Sequence, residues 1–511
     1  MALATLTKYS LHFTITNITD RRLKLCCEEF YQKFAQWGYG RKPGGGFGRF
    51  IAKHWALKLY NGERYHFHIN SLAAFARYCM GGGFSNQAFD IVEVPLFDVT
   101  PIELENTDTR TPLPHQTATL DFFENQAASS NVVTLRPGGG KSLIMTNYMF
   151  KHQCRIVLII RPMYIKKWEE DLMAQLGLSK KEICIISGTK ALENIIALGP
   201  EDTRYKAVII SNKTIKSWFT MFETSKHEDF IARFGIEPWQ LMQTLGTDIY
   251  YVDERHQDFH LNLLLDLHTH CKQVICATGT LIASDAFLSN MMGMMHPPST
   301  RINPDKYKAY TKVFPLLYRF RYPEGIRTVE WGSTTYSHLA FEASMLKQGD
   351  VKENYYRMIK DAIEKNWTKN PQGRKEGDRC LVFFSTVEMC KDFVAYLREV
   401  YPEYRIEKYT QEDPYENLME SDIAVSTVLS AGTAHDIPQL TVAILTQALS
   451  SIQANLQALG RLRELKDKRN PVYVYLACEQ FDKHMSYHQD KVELFREKGL
   501  FVYDMAYTKL L

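Results

Sequence analysis

From residue 115 onward, short apolar and β-branched runs recur along the chain, separated by segments with helical periodicity. Runs of four to eight such residues are typical of parallel strands that are buried on both faces. They form one series before residue 296 and a second after residue 375, which predicts two tandem α/β layers. The predicted strands are Arg155–Ile160, Ala207–Ile210, Ile249–Val252 and Gln273–Cys276, then Cys380–Phe384, Ile423–Val425, Val442–Leu445 and Val472–Leu476.

The first 97 residues have a different pattern, which predicts a small α+β domain. A tight-turn dipeptide separates two strand-like stretches there and predicts a hairpin. A glycine-rich stretch, Gly44–Gly48, lacks a following Lys-Ser pair and is best interpreted as a hairpin loop. The predicted strands are Leu11–Ile18, Trp55–Tyr60 and Arg64–Ile69, the turn is Asn61-Gly62, and the predicted amphipathic helix is Arg22–Trp37.

These patterns divide the 511 residues into five segments. We expect an N-terminal domain over residues 1–97, a linker over 98–114, a first α/β domain over 115–296, a connection with peripheral helices over 297–378, and a second α/β domain over 379–511.

Charge is distributed unevenly along the chain. The whole chain carries a net charge of +3, but residues 1–97 hold 12 Lys/Arg against 6 Asp/Glu, a net charge of +6, which leaves −3 for the rest. The same 97 residues include 18 aromatic residues. Basic side chains neutralise phosphates and exposed aromatic rings stack on unpaired bases, so this domain is a candidate for nucleic-acid binding. The alternative is that the aromatic residues build a core and the charges form a solvated face.

Cysteine and histidine usage gives no sign of a metal centre. The ten cysteines include no C-x-x-C pair, and we expect a reducing, cytoplasmic environment. No apolar run approaches the roughly 18 residues that span a bilayer, so we expect a soluble protein. The histidines 256, 260, 268 and 270 show no ligand spacing and are interpreted as part of a mostly solvated helix.

A phosphate loop follows the apolar stretch Asn131–Val133 and precedes a helical run. Its glycines allow backbone N–H groups to surround a phosphate, its lysine reaches the β- and γ-phosphates, and its serine can ligate Mg²⁺. The first glycine of the general pattern is replaced by Leu135. The loop residues are Gly138, Gly139, Gly140, Lys141 and Ser142.

Two acidic residues end the predicted strand Ile249–Val252. Asp253 can belong to the Mg²⁺ shell, and Glu254 can polarise the water that attacks the γ-phosphate. Because the phosphate loop and this acidic pair need each other for nucleotide hydrolysis, each strengthens the interpretation of the other.

The sequence Asp253-Glu254-Arg255-His256 resembles the DExH box of superfamily-two helicases and translocases. Further motifs resemble that family in the expected order. In the first half they are the adenine-recognising motif Pro114-His115-Gln116, motif Ia at Ile160-Arg161-Pro162 with Trp168, motif Ib at Ser211 to Thr214, and motif III at Ala277-Thr278-Gly279-Thr280. The T-G-T form of motif III is similar to that of the Swi/Snf-like branch and its phage relatives.

The second half resembles motifs IV to VI of the same family. These are Leu381–Ser385, then Ser426-Thr427 with Ala431–Pro438, then Gln457–Arg463. The family usually spaces the last pair of arginines as G-R-x-x-R, whereas this chain has G-R-x-R. Two residues, Arg463 and Arg461, are therefore candidates for the arginine finger, and we favour Arg463.

The resemblance covers about residues 111–480 and implies two tandem RecA-like P-loop domains that use ATP and Mg²⁺. It also implies a role for each matching residue. Hydrolysis would depend on Lys141, Glu254, Gln457, Arg461 and Arg463, nucleotide binding on Gln116, Gly138, Gly139, Gly140, Lys141, Ser142, Gly432 and Asp436, Mg²⁺ binding on Ser142 and Asp253, coupling on Thr278 and Thr280, and nucleic-acid contact on Arg161, Ser211, Thr214, Ser385 and Thr427.

A small basic module before a compact two-lobed motor is similar to UvsW-type phage helicases. This resemblance implies an ATP-dependent DNA helicase or translocase that acts on branched or forked DNA in branch migration, fork remodelling, recombination or repair. It implies a monomer that binds single-stranded and branched DNA and works with replication or recombination proteins in the host cytoplasm. The alternatives are a duplex-DNA translocase without strand separation, similar to Swi/Snf or restriction motors, an RNA helicase, and an ATP-switched nucleic-acid binding or annealing protein.

Overall fold

In a computed structural model, the chain forms two compact units, Met1–Leu135 with Gly139–Asp305, and Lys306–Leu511. The structure describes residues 2–41, 45–126, 128–135, 139–202, 204–256, 258–279, 281, 286–304, 310–332, 335–410, 413–431, 437–497, 500–503 and 509–511. Within these ranges, no helix combines the length and the apolar character needed to cross a bilayer.

The N-terminal domain has a five-stranded sheet in the order β5-β6-β2-β1-β7, in which only the β1/β7 pair is parallel. The predicted hairpin is confirmed, because β5 and β6 pair antiparallel on either side of Asn61-Gly62. The elements are β1 (Ala4–Lys8), β2 (His12–Thr16), β3 (Ala35–Arg41), β4 (Phe47–His54), β5 (Leu57–Leu59), β6 (Arg64–His68) and β7 (Phe89–Glu93), with helices α1 (Arg21–Gln32) and α2 (Leu72–Gly81).

A separate two-stranded ribbon, β3 with β4, replaces the end of the predicted first helix. The prediction of a helix as far as Trp37 is wrong, because α1 ends at Gln32 and the chain enters β3 at Ala35. Gly38 and Gly40 each disfavour a helix by about 1 kcal/mol relative to alanine, and pairing with β4 satisfies the extended backbone. Gly45 and Gly46 lie between β3 and β4 as predicted, whereas Phe47 and Gly48 belong to β4 and Gly44 lies outside the described residues. Gly45 has a positive φ of 92°, which favours glycine.

The first α/β sheet is entirely parallel, with the strand order β10-β11-β9-β12-β13-β8-β14. All four strands predicted in this part of the chain are confirmed. The strands are β8 (Ser130–Thr134), β9 (Ile156–Ile160), β10 (Ile183–Ile186), β11 (Ala207–Ser211), β12 (Ile249–Asp253), β13 (Gln273–Thr278) and β14 (Arg301–Ile302). The helices are α3 (Pro114–Glu124), α4 (Lys141–His152), α5 (Ile165–Leu176), α6 (Thr189–Leu198), α7 (Asn212–Thr224), α8 (His227–Phe234), α9 (Leu241–Thr244), α10 (Phe259–His268) and α11 (Ala286–Met295).

The second unit contains another parallel sheet, in the order β17-β18-β16-β19-β20-β15-β21, with β22 also paired to β15. Its four predicted strands are confirmed as well. The strands are β15 (Lys312–Arg319), β16 (Arg379–Phe384), β17 (Ile406–Tyr409), β18 (Ile423–Thr427), β19 (Leu440–Leu445), β20 (Val472–Cys478), β21 (Phe501–Val502) and β22 (Lys509–Leu510). The helices are α12 (His338–Met345), α13 (Gly349–Ile363), α14 (Val387–Val400), α15 (Glu416–Met419), α16 (Val428–Ala431), α17 (Ile452–Leu459) and α18 (Asp482–Glu497).

The segment expected to be a connection, residues 297–378, contributes strands to both sheets. β14 pairs with β8 in the first sheet, and β15 lies between β20 and β21 in the second. Phe341 of α12 and Tyr355 of α13 are buried in the same core as β16. The sequence pattern missed β15 because Pro315 interrupts its apolar run, and a proline argues against an interior strand. The expected linker also packs, because the backbone N–H of Ile102 donates to the carbonyl of Gln153 at 2.7 Å.

The N-terminal domain shares one continuous hydrophobic core with the first α/β sheet. Of the four histidines expected on a solvated helix, His260, His268 and His270 line this junction and His256 lies beside Glu254, so that expectation is wrong. His270 Nδ1 accepts from the backbone N–H of Ser10 at 3.1 Å, and His260 Nε2 lies 2.6 Å from the carbonyl oxygen of His54. Burial, more than any neighbouring charge, lowers the pKa of both imidazoles. The neutral rings thus serve as hydrogen-bonding groups in the interface between the two domains.

A buried ion pair fixes the turn that follows β12. The guanidinium of Arg255 donates to the carboxylate of Asp266 on α10, and both side chains are fully buried. Burial alone would lower the pKa of Arg255, but the carboxylate outweighs it and the pKa is raised. His68 of the N-terminal domain lies 3.5 Å from the same carboxylate, which also accepts from the Tyr250 hydroxyl at 3.4 Å. One carboxylate therefore joins the turn, α10 and the N-terminal domain.

We predict that Asp266→Ala destabilises the first unit by about 3–5 kcal/mol, because it leaves the Arg255 guanidinium buried without its counter-charge. The measurement is the shift in the urea-unfolding midpoint of the full chain, followed by tryptophan fluorescence. Glu93→Ala is the matched control, since it removes a carboxylate from an ion pair with Lys8 that is largely exposed to solvent. The control should cost no more than about 1 kcal/mol. Equal losses in the two variants would contradict the role given to Asp266.

Candidate active site

The described part of the phosphate loop leads directly into the N-terminus of α4. Gly140, the residue before the helix, has a φ of 84°. A Cβ at this position would lie 2.0 Å from Nε2 of Gln116, so only glycine fits. Gln116 is buried at the start of α3, and its Nε2 donates to the carbonyl of Gly139 at 3.3 Å. The glutamine implied in adenine recognition thus lies against the phosphate loop, as does His115, 3.0 Å from the same carbonyl.

Lys141, the first residue of α4, forms a hydrogen-bonded ion pair with Glu254. Burial alone would lower the pKa of Lys141, but the carboxylates of Glu254 and Asp253 outweigh it and raise that pKa. Burial likewise acts to raise the pKa of Glu254, but Lys141 holds it below its ordinary value. The pKa of Asp253 is raised, first by burial and then by the neighbouring Glu254 carboxylate. A single ammonium group therefore stabilises two adjacent acids, and the sequence-predicted motifs meet as expected.

Asp253 and Ser142 provide oxygen atoms of the kind that Mg²⁺ prefers. Trp168 Nε1 donates to Oδ2 of Asp253 at 3.0 Å and orients the carboxylate. Lys167 Nζ donates to the Ser142 hydroxyl at 2.9 Å, and its charge lowers the pKa of Asp253. The carboxylate of Asp253 and the hydroxyl of Ser142 are thus the oxygen donors here that fit the implied metal. Sequence reasoning missed Lys167, whose only signal is its position one residue before Trp168 on α5.

Glu254 is held in a strained backbone conformation beside motif III. Its φ of 53° lies in the left-handed region, which is costly for a residue other than glycine. Its Oε2 accepts from the backbone N–H of Gly279 at 3.3 Å and lies 3.4 Å from His256 Nδ1. That imidazole also hydrogen bonds with the hydroxyl of Thr278, and burial lowers its pKa to about 4. The acid is therefore linked through a neutral histidine to motif III.

The nucleic-acid candidates of the first sheet occupy different environments. Arg161, at the end of β9, is partly exposed, and its Nε donates to Asp258 at 2.7 Å. Ser211 and Thr214 are buried, and the Thr214 hydroxyl accepts a backbone N–H at 2.7 Å. Their side chains do not reach the surface here, because α7 begins at this point and turns them toward the interior. Asn212 between them donates to Asp258 at 2.8 Å and was missed by sequence reasoning.

The candidates of the second unit surround the start of α14 and the end of β18. The backbone N–H groups of Ser385 and Thr386 each donate to the buried carboxylate of Glu342 at 2.7 Å. Burial raises the pKa of Glu342 to about 7. The Thr427 hydroxyl donates to Ser430 Oγ at 2.9 Å. No sequence pattern pointed to Glu342, because it acts as a distant cap for a helix that begins 45 residues later.

The two motif VI arginines differ in exposure. Arg461 is buried, and its Nε donates to the carbonyl of Gln457 at 3.4 Å. Arg463 is partly exposed, and its Nη1 donates to the carbonyl of Gly460 at 2.8 Å. Four of the predicted site residues lie outside the described residues. They are Gly138, Thr280, Gly432 and Asp436.

These features define the class of the protein. Each unit has a parallel sheet with flanking helices, and in the first sheet β13 lies between the strand of the phosphate loop and the strand of the acidic pair. This is a tandem RecA-like fold, preceded by a small α+β domain.

Comparison with known proteins gave matches among solved structures only. No family model and no curated sequence matches the chain. T4 UvsW is 15% identical with a TM-score of 0.33, over 100% of this chain and 99% of that chain. S. cerevisiae Dbp5, bound to RNA and ADP BeF3, is 10% identical with a TM-score of 0.49, over 79% of this chain and 90% of that chain. The class stated above rests on strand order and site geometry.

We predict that Trp168→Phe weakens Mg²⁺-dependent nucleotide binding by about 10-fold or more, because Asp253 loses the hydrogen bond that orients it. The measurement is the Mg²⁺ concentration that half-saturates binding of a fluorescent ATP analogue. Trp218→Phe is the matched control, because Trp218 is equally buried and its ring nitrogen has no hydrogen-bond partner among the described residues. A Trp168 variant with the Mg²⁺ requirement of the control would exclude a positioning role for this indole.

Proposed function

We propose that the protein is an ATP-driven DNA helicase or translocase that acts on branched or forked DNA, in recombination, repair or replication. The observation that carries this proposal is the partly buried set formed by Lys141, Glu254 and Asp253 beside a phosphate loop. Such a set can bind a nucleoside triphosphate and direct water at its γ-phosphate. The basic N-terminal domain and the resemblance to motor motifs favour nucleic acid as the other substrate.

Nucleotide binding requires Lys141 to exchange partners. Its ammonium neutralises Glu254 in the structure, whereas in hydrolysis it would contact the β- and γ-phosphates. Once Lys141 moves to the phosphates, Glu254 loses the charge that lowers its pKa and becomes a better general base. The backbone N–H of Gly279 and the His256 imidazole keep its other oxygen in place during this exchange. Arrival of the substrate thus activates the base.

The remaining first-unit residues have supporting roles in this proposal. Ser142 and Asp253 would hold Mg²⁺, which supplies positive charge to the phosphates when bound. Gln116 would recognise adenine from its position against the phosphate loop. Thr278, hydrogen bonded to His256, would transmit the state of Glu254 to motif III and Thr280. Among Arg161, Ser211 and Thr214, Arg161 is the best placed for a DNA phosphate, because its side chain is partly exposed whereas the other two are buried.

The second unit would supply the arginine that stabilises charge on the γ-phosphoryl group. We favour Arg463 over Arg461, because a finger must leave its own domain and a buried guanidinium is less able to do so. Gln457 would assist in hydrolysis, and Gly432 and Asp436 in nucleotide binding. Ser385 and Thr427, at the ends of β16 and β18, would contact the DNA backbone.

The decisive experiment measures ATPase turnover with single-stranded DNA, duplex DNA, forked DNA and RNA. We predict stimulation by DNA, strongest with forked DNA, and its loss in both Lys141→Ala and Glu254→Gln. The variants should differ in nucleotide affinity, because Glu254→Gln keeps the ammonium that binds phosphate whereas Lys141→Ala removes it. Stimulation by RNA alone would favour an RNA helicase, and stimulation by duplex DNA without strand separation would favour a duplex translocase. Turnover above a few per cent in Lys141→Ala would reject the phosphate-loop assignment.

For motif VI we predict that Arg463→Ala lowers kcat by about 10³-fold, the scale expected for an arginine finger. Arg461→Ala should mainly change nucleotide affinity or stability, because its guanidinium is packed against the carbonyl of Gln457. Single-turnover hydrolysis with saturating forked DNA separates these effects. The reverse ranking would assign the finger to Arg461, and wild-type rates in both variants would remove motif VI from the hydrolysis step.

A further inference from the structure

The β3–β4 ribbon presents an aromatic face to solvent, formed by Trp37, Tyr39, Phe47, Arg49 and Ile51. Trp37 is 49%, Tyr39 77% and Phe47 72% exposed, whereas the other Phe, Trp and Tyr side chains of residues 1–97 are buried or partly buried. Trp37 is paired with Ile51 and Tyr39 with Arg49, so all four lie on one side of the ribbon. Exposed aromatic clusters of this kind mark interaction surfaces.

The opposite side of the ribbon is built differently. Phe50 lies across the glycines of β3, and a Cβ on Gly38 would come within 3.2 Å of its ring. Since successive side chains of a strand alternate between its faces, Trp37 and Tyr39 cannot share the side that Phe50 fills. The aromatic face is therefore a consequence of the strand register.

Positive charge accompanies the exposed rings. Residues 35–54 contain four basic residues, Arg41, Lys42, Arg49 and Lys53, and no Asp or Glu. The guanidinium of Arg49 lies 4.4 Å from the centre of the Trp37 ring, and the rings of Tyr39 and Phe47 are 5.2 Å apart. Rings that alternate with cations suit a flexible polyanion whose bases are free to stack.

The base of the ribbon is fixed to the first α/β sheet. Trp55, just after β4, is buried with its ring centre 5.3 Å from that of Phe259, and its Nε1 donates to Gln36 of β3 at 3.1 Å. The carbonyl of His54 lies 2.6 Å from His260 Nε2. Phe259 and His260 begin α10, the helix that follows the turn bearing the acidic pair. A strand bound on the ribbon would thus be held by an element anchored next to the hydrolysis site.

We propose that the aromatic face binds unpaired nucleotides, with Trp37, Tyr39 and Phe47 stacking on bases while Arg49 contacts phosphates. This inference rests on the proposed function for its choice of ligand and assigns the ribbon a part in it. A duplex fits less well, because paired bases conceal the faces on which rings stack. An apolar protein surface fits less well as the partner, because basic side chains surround the exposed rings. A basic partner would be repelled, because residues 35–54 contain no acid.

The test measures binding of the nucleotide-free, full-length protein to an oligothymidylate of about 20 nucleotides and to an abasic strand of equal length and charge. The intact protein should prefer the strand with bases. Trp37→Ala and Tyr39→Ala should each weaken binding to that strand by about 5- to 100-fold, the range expected for loss of one stacked base, and leave abasic binding unchanged. Arg49→Ala should weaken both, because both strands carry phosphates.

Two controls keep the test decisive. Trp331→Ala removes a tryptophan of the second unit that is 98% exposed, and it should bind both strands like the intact protein. Trp37→Phe retains a ring and should recover most of the base preference, which a merely unfolded ribbon would not do. Equal weakening on both strands in Trp37→Ala and Tyr39→Ala, or no weakening on either, would overturn the inference. Binding to vesicles of phosphatidylserine tests whether the face instead binds an anionic membrane. If Trp37→Ala and Tyr39→Ala lost binding to these vesicles but kept full binding to oligothymidylate, the inference would also be overturned.

The outcome is independent of the ATPase assignment. If base preference disappears in the ribbon variants while the intact protein lacks DNA-stimulated turnover, the ribbon site stands and the motor proposal fails. If turnover is stimulated by DNA but the ribbon variants keep their base preference, only the ribbon inference fails.

Discussion

The ion pair between Arg255 and Asp266 is the constraint on which the first unit depends. Neither charge reaches water, so each pays a desolvation penalty that only the other can offset. The carboxylate also faces His68 of the N-terminal domain, and Arg255 Nε lies 3.2 Å from His296 Nε2 beyond α11. Arg255 follows Glu254 directly, so the pair holds the strained turn in which the acid sits. The Arg255–Asp266 ion pair therefore contributes both to the packing of the N-terminal domain against the first α/β domain and to the position of Glu254.

In the candidate hydrolysis site, the ammonium of Lys141 and the carboxylates of Asp253 and Glu254 stabilise each other's charges. Two adjacent carboxylates are partly buried with the ammonium of Lys141. Burial disfavours the charged forms of Lys141, Glu254 and Asp253; mutual attraction outweighs it for Lys141 and Glu254, whereas the pKa of Asp253 stays raised. Such a site can bind a polyanionic substrate when a phosphate replaces the Glu254 carboxylate beside Lys141. The lysine is already partly desolvated in the free protein, so substrate binding does not have to supply that free energy.

The N-terminal domain uses its aromatic residues in two ways. Phe13 and Phe67 build the core that continues into the first sheet, whereas Trp37 and Tyr39 stand in solvent on the ribbon. Trp55, with its neighbours, connects the two regions by packing against α10. The ribbon residues 35–54 carry four basic residues and no acid, and the buried junction is a continuous apolar core with histidine hydrogen bonds at its edge. The side chains that pack the N-terminal domain against the first α/β domain are thus different from those proposed to bind a ligand on the ribbon.

The sequence by itself indicated the eight buried strands it predicted, because short β-branched runs that alternate with helical segments suit strands buried on both faces of a parallel sheet. It also determined the order of the motifs, since the phosphate loop and Asp253-Glu254 are local patterns. Features that depend on contacts between residues far apart in the sequence were decided only by the tertiary structure. Pro315 lies within β15 where β20 is the paired neighbour, because β21 and β22 pair only with residues 312–313 and 318–319. Trp37 and Trp55 belong to the same domain but differ in exposure, because Trp55 packs against α10. Histidines 260 and 270 resembled a solvated face until the N-terminal domain covered them, because a local pattern carries no information about a distant partner.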